Sequence, residues 1–247
     1  MDLYLQAGIK KLSKSTLTLW KGAIFAGMFI ALGGYASQIA TMETGSKVVA
    51  SCVFPVGLIM VVLTGSELFT GNNLLIIPVL AGKEDTKSLL RNLCLSWLGN
   101  GIGALFIGLC AAYIAPDEVK ALLQQTAAAK MSAPVPTLFV KAILCNILVC
   151  VAVYGATTAT ETAGKLLAAF FPTMAFVLCG FEHSIANMYY FAGDAFLSSS
   201  FGEGVSKLMA ALLHNLIPVT AGNLVGGVLI VGCGLWLASG QKWPAKA

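Results

Sequence analysis

Gly180-Phe181-Glu182-His183-Ser184-Ile185-Ala186-Asn187 sets an acid and a histidine in the middle of an apolar run that extends from Leu166 to Phe191. At lipid depth an ionisable side chain costs about 2.5 kcal/mol or more unless a cavity or a partner receives it, so such a group marks a functional pathway. A second stretch, Gly65-Ser66-Glu67-Leu68-Phe69-Thr70-Gly71-Asn72, repeats the Gly, Glu and Asn at the same offsets inside another apolar run. Two interrupted hydrophobic segments at matching places in two halves are the signature of an inverted-repeat transporter or channel.

Outward from these two stretches, the whole chain is too apolar for a soluble domain. Its 247 residues are 57% hydrophobic and 11% charged, and the mean hydropathy is +0.84. Uncharged runs at Gly22–Met42, Val48–Ser66, Asn92–Pro116, Ala142–Thr160 and Leu208–Gln241 have the length of spanning helices, about 20 residues. They lack the alternation of a barrel strand. The chain therefore reads as an all-α integral membrane protein with six crossings. The seven cysteines fall inside the apolar runs without metal-ligand spacing, so they read as small core residues, and neither disulfide, metal nor cofactor is expected. No cleavable signal peptide is expected either.

The net charge of +4 is explained by topology rather than by nucleic acid. One side of the membrane receives Lys10, Lys11, Lys14, Lys21, Lys83, Lys87, Arg91, Lys165, Lys242 and Lys246; the other receives Lys47, Lys120, Lys130 and Lys207, with Lys141 near the start of a span. This asymmetry puts both termini in the cytoplasm and the protein in the cell's inner (plasma) membrane.

The expected organisation is one channel domain over residues 1–247. Residues 1–21 form a cytoplasmic interfacial segment, with a frayed terminus as the alternative; 22–115 form a first repeat and 137–240 a second. As one helix, Val48–Gly82 would reach about 50 Å against a hydrocarbon core of about 30 Å, so it must break, and Gly65 and Gly71 mark where. The fifth element breaks at Gly180–Ser184. Glu67, Asn72, Glu182 and Asn187 are expected to tie the freed backbone at the breaks. The third span carries Gly99-Asn100-Gly101-Ile102-Gly103 and the last Gly222-Asn223-Leu224-Val225-Gly226, a second repeated motif. Three spans per half force the halves into opposite orientation. Lys141 reads as a snorkelling side chain, and His214 as a structural histidine.

Four segments together resemble the formate/nitrite transporter family, which includes hydrosulfide channels: Gly65–Asn72, Lys141–Val153, Gly180–Met188 and Asn215–Gly227. The resemblance covers nearly the whole chain. It implies an aquaporin-like six-span protomer, a 3+3 inverted repeat with two broken helices, assembled as a homo-pentamer in the bilayer with one pore per subunit. It implies substrate-pore roles for His183, Thr70, Asn146 and Asn223, and for Lys130 as the external lysine that attracts anions. It also implies apolar constrictions built from Phe54, Leu58, Leu68, Phe69 and Phe176.

The physics fits small monovalent anions of weak acids, with formate ranked first and nitrite and hydrosulfide next. Half-helix N-termini and Lys130 favour negative charge, apolar rings oppose a naked ion, and a protonated permeant is neutral. His183 can donate that proton or tune the local potential. Two rivals are an aquaporin-type channel for neutral solutes, for which the paired Asn-Pro-Ala motifs are missing, and a membrane enzyme using Glu182 and His183 as acid and base, for which no nucleophile or metal cluster is in sight.

Overall fold

The computed structural model describes residues 1–240, in which helices make up nearly all the ordered backbone. Lys242 and Lys246, and the end of the last apolar run at Gln241, lie outside the described residues. Helices α1 (Asp2–Leu12), α2 (Thr16–Thr44), α3 (Lys47–Val53) and α4 (Val56–Thr64) lead to the first break. Beyond it the chain runs through α5 (Phe69–Asn72), one 3₁₀ turn and α6 (Ile76–Leu80) into the long α7 (Thr86–Ile114). A second series follows: α8 (Asp117–Ser132), α9 (Val135–Thr158), α10 (Thr162–Leu178), the second break, and α11 (Ser184–Phe196). The chain closes with α12 (Phe201–Ala211), α13 (Ile217–Leu224) and α14 (Cys233–Ala238), joined by π-helical turns at Leu212–Leu216 and Val225–Gly232 into one continuous rod.

Among the described residues five helices, Thr16–Thr44, Lys47–Thr64, Thr86–Ile114, Val135–Thr158 and Phe201–Ala238, are long and apolar enough to cross a membrane; Phe69–Leu80 and Thr162–Leu178 are shorter apolar pieces. Several elements outrun the apolar stretches that announce them. Helix α7 begins at Thr86 because Asp85 accepts from Ser88 N at 2.7 Å, and α12 begins at Phe201 because the Ser200 hydroxyl accepts from Glu203 N at 3.2 Å. Caps of this kind satisfy the orphan amides of a first turn outside the lipid. Hydropathy marks only the middle of such a helix.

Two segments carry more structure than hydropathy announces. The segment between α7 and α9 is helical: α8 is amphipathic, burying Val119, Leu123 and Ala127 at a four-residue spacing. The N-terminal segment does not merely lie along an interface. Tyr4, Gly8 and Leu12 of α1 are buried, and a Cβ on Gly8 would sit 2.6 Å from the Pro78 ring, so α1 is packed on protein. Of the cysteines read as core residues, Cys145 and Cys150 are buried while Cys94 and Cys179 are exposed, as an apolar thiol on an outward helix face can be.

The Gly-Asn-x-x-Gly motifs explain how the long helices meet. Gly99 and Gly103 of α7 lie against Ala23 and the Ile24 carbonyl of α2; Gly222 of α13 and Gly226 of the π-helical turn after it lie against the Phe139 and Ile143 carbonyls of α9. Small residues allow backbones to approach this closely, which is how helices associate where water supplies no driving force.

Candidate functional site

Both breaks have one construction. Gly65 ends α4 with φ +64° and Gly180 follows α10 with φ +67°, a left-handed conformation that glycine adopts without strain. Ser66 N then reaches back to Val61 O (3.1 Å) and Phe181 N to Phe176 O (3.0 Å). The next amide leaves the element: Glu67 N donates to Gly22 O (3.2 Å) and Glu182 N to Lys141 O (3.4 Å). One asparagine secures each freed segment. Asn100 accepts from Phe69 N (2.9 Å) and donates to Ala23 O (2.7 Å) and Glu67 O (2.9 Å). Asn223 accepts from Ser184 N (3.0 Å) and donates to Ala142 O (2.8 Å) and Glu182 O (3.0 Å). Backbone polar groups left unpaired in lipid cost several kcal/mol each, so irregular chain survives there only with such partners.

The two carboxylates are tied in parallel ways. Glu67 is fully buried; its Oε2 accepts from Asn72 Nδ2 (2.7 Å) and Lys11 Nζ (3.3 Å), and its Oε1 from Lys14 Nζ (2.6 Å). Asn72 passes a second N–H to Asn92 Oδ1 (2.8 Å). At the other break Glu182 Oε2 accepts from Asn187 Nδ2 (2.6 Å) and Lys130 Nζ (2.8 Å), and Asn187 donates also to Asn215 Oδ1 (2.8 Å).

Between the breaks, Thr70 Oγ1 and His183 Nε2 stand 2.9 Å apart, Thr70 fully buried and His183 nearly so. His183 caps α11: its Nδ1 accepts from Ala186 N at 3.1 Å. These partners assign the tautomer. A ring whose Nδ1 lone pair takes an N–H carries its own proton on Nε2, so Nε2–H donates to Thr70 Oγ1 and the Thr70 hydroxyl hydrogen stays free to point at a permeant. Phe176 lies nearly parallel to the imidazole, with centroids 5.7 Å apart, and meets Phe54 edge-on. Phe54, Leu58, Leu68 and Phe69 are all buried.

Cavities flank this centre. One of about 230 Å³ is lined by Leu68, Asn72, Ser66, Lys11 and Lys165. Another of about 160 Å³ is lined by Phe54, Phe176, His183, Lys130, Asn187 and Tyr190. Of the apolar residues expected at constrictions, Leu68 lines the first cavity and Phe54 and Phe176 the second.

Four expected site residues have partners that the sequence does not announce. Lys130 is not a bare collecting charge, because its ammonium is neutralised by Glu182 and its side chain is 14% exposed. Asn146 and Asn223 are wholly buried, as Thr70 is, and both bond to backbone. Asn146 Nδ2 donates to Thr70 O (3.3 Å) and Asn223 O (2.7 Å), which makes both asparagines positioning residues. Glu67 gains partners from α1 that the apolar runs do not announce. His214 Nε2 lies 3.1 Å from Ala133 O, and Lys141 serves the second break through its carbonyl.

Lys11, Lys14, Asn92 and Asn215 were missed. A signal existed for the asparagines: Asn92-Leu93 and Asn215-Leu216 each precede a Gly-Asn pair after the same five-residue gap. Among the described residues no cluster of His, Cys, Asp and Glu could hold a metal ion.

The two breaks, the Thr70–His183 bond and the flanking cavities are the features against which relatives can be compared. The profile of the formate/nitrite transporter family matches residues 1–237. The chain belongs to this family. It is 36% identical over 241 residues to a probable formate transporter of Methanothermobacter thermautotrophicus, covering 87% of this chain and 86% of that one. It is 35% identical over 257 residues to the nitrite transporter NirC of Salmonella typhimurium, covering 97% and 91%. A solved FNT family ion channel superimposes with a TM-score of 0.84 at 30% identity, covering 96% of this chain and 98% of that one. A pentameric formate channel with formate bound gives 0.76 at 28% identity, covering 92% and 100%. These formate/nitrite transporter relatives are transporters and channels, not enzymes, which removes the membrane-enzyme alternative. The chain is a multi-pass membrane protein of this family.

Proposed function

We propose that this protein conducts small monovalent anions of weak acids, formate first and nitrite or hydrosulfide next, through one pore per subunit of a homo-pentamer. The inner membrane is its location and both termini are cytoplasmic. The observation that carries the reading is the Thr70–His183 bond, held between two cavities at two chain breaks. The formate and nitrite transporters among the relatives support the permeant class, and the similar formate channel, itself pentameric, supports the assembly.

Burying an unpaired ion costs several kcal/mol even after relaxation, and the stretch between the cavities is walled by Phe and Leu. A permeant that takes a proton from vestibule water avoids most of that cost. The neutral acid then meets the free Thr70 hydroxyl, which donates to its acceptor atom, an oxygen in formate or nitrite. His183 is the residue that aims Thr70. Donating the Nε2 proton outright would require a second proton on Nδ1, and that proton would break the cap on Ala186 N. The pore therefore works as an electroneutral path for anion plus proton, with His183 as orienter rather than proton source. An inverted repeat that starts at α1 and α8, not at Gly22 and Thr137, accounts for the constant offset of 119 between Lys11 and Lys130, Gly22 and Lys141, and Ala23 and Ala142.

Proteoliposomes with a lumenal pH dye test this. An inward formate gradient should acidify the lumen, and glycerol should not enter. Thr70→Val should cut the rate about tenfold, the worth of one hydrogen bond of about 1.4 kcal/mol. His183→Asn should slow flux without moving its pH profile. A shifted profile would make His183 the proton donor, and formate current without acidification would sink the electroneutral path.

A further inference from the structure

We propose that the Thr173 hydroxyl, on α10, is a second polar station for the permeant, in the stretch that joins the two cavities. The inference rests on the anion reading above and adds to it a residue that contacts the permeant. Helix α10 reaches from one cavity to the other. Lys165, in its first turn, lines the cavity at the first break, and Phe176, near its end, lines the cavity at the second. Between them α10 buries Ala169 and Thr173. The steps from Lys165 to Ala169, to Thr173 and to Phe176 are four, four and three residues, the spacing that keeps side chains on one helix face. A face whose two ends open into the two cavities is the wall of the path between them. Thr173 stands on that face one turn before Phe176, the ring that stacks on His183.

Thr173 has no exposed surface, and its Oγ1 has no hydrogen-bond partner among the described residues. A threonine inside a helix can give its proton to the carbonyl four residues back. Thr41, Thr44, Thr64, Thr126, Thr157 and Thr158 all do so, at 2.6–2.9 Å. Thr173 has Ala169 O at the same offset and does not use it. Leaving a buried hydroxyl unbonded is costly, so a helix that needed only to fill this place would carry valine, which has the same shape. The first repeat does carry an apolar residue there. Leu58 and Thr173 each stand seven residues before the glycine at their break, and Leu58 is buried as well. The hydroxyl is thus particular to the second half of the chain. Formic and nitrous acid in their neutral forms offer an O–H and an acceptor oxygen, and a threonine hydroxyl can receive the one or donate to the other.

Thr173→Val removes the hydroxyl and keeps the shape. Because that hydroxyl bonds to nothing in the protein, the melting temperature of the solubilised variant should equal or exceed that of the wild type. Its formate flux in proteoliposomes should fall about three- to tenfold, the worth of one modest hydrogen bond, and Thr173→Ser, which restores the hydroxyl, should recover most of the loss. Unchanged flux in Thr173→Val overturns the proposal. A lowered melting temperature with loss of the oligomer does so too, since the hydroxyl would then be structural, and equal losses in Thr173→Ser and Thr173→Val would assign the effect to shape. Formate binding is the second arm. Formate, compared with chloride at the same ionic strength, should raise the melting temperature of the wild type and raise it less in Thr173→Val. A Thr173-dependent rise without any flux in the wild type would sink the channel reading and leave this contact standing; flux in the wild type with neither arm altered by Thr173→Val would do the reverse.

Discussion

Glu67→Gln removes one negative charge that two ammonium groups share. Glu67 has no exposed surface, Lys11 and Lys14 keep 28% and 25% of theirs, and the ion-pair distances are 3.3 and 2.6 Å. Breaking a buried pair from one side costs about 3–5 kcal/mol, because the remaining charge is left without compensation. Solvent around the lysines places this case at the lower end, about 3 kcal/mol, since a partly exposed cation can turn toward water. For a chain of this size that corresponds to a fall of about 6–12 °C in melting temperature. Lys14→Met alone leaves one cation against one anion and should cost about 1 kcal/mol or less. The triple variant Glu67→Gln, Lys11→Met, Lys14→Met should recover most of the loss, because replacing a whole buried ion cluster by apolar side chains is often neutral. The assay is thermal unfolding of the solubilised protein, followed by loss of the oligomer peak on size exclusion. Glu67→Gln melting within about 2 °C of wild type, or single losses that add up in the triple variant, would refute a shared-charge hub.

Other outcomes follow from the same structure. Asp85 is solvent-exposed, and the amide and hydroxyl of Ser88 hold its carboxyl below the ordinary carboxylate range. Its cap therefore stabilises α7 above the unfolded-state pKa and is lost as pH falls through the lower folded value. Asp85→Ala should lower the melting temperature at neutral pH and match wild type in strong acid; a difference that persists there would show that charge is not the cause. Gly103→Val would drive a side chain into the Ile24 carbonyl and should cost about 1–3 kcal/mol or more. Gly234→Ala meets nothing within 4 Å inside α14 and should stabilise by about 0.5–1 kcal/mol; equal effects of the two in thermal unfolding would contradict the packing argument. A cysteine at exposed Ala128 on α8 should react with an impermeant thiol reagent from outside intact cells. Labelling only after permeabilisation would reverse the orientation.

Much of this protein is legible along the chain alone. Long uncharged runs can satisfy their backbone in lipid only as helices, and Glu67 and Glu182 inside such runs announce the breaks where Gly65 and Gly180 turn. The repeated Gly-Asn-x-x-Gly motif announces a second pair of matching contacts. Other features are hidden because they depend on residues far apart in the chain. Nothing local about Lys11 and Lys14 says that they meet Glu67, since a lysine near a terminus has the same composition whether it faces water or a buried acid. The same holds for Lys130, whose pairing with Glu182 appears only once α8 folds back as a helix. The resemblance gives Asn146 and Asn223 pore roles, but their bonds to the Thr70, Ala142 and Glu182 carbonyls appear only in the fold. Sequence by itself determined the membrane habitat, the long apolar helices, the two breaks and the histidine within one of them, because each follows from the cost of polar groups in lipid. Tertiary structure decided which donors are spent and which are free, because a hydrogen bond between distant residues is a matter of ångströms that no spacing along the chain encodes.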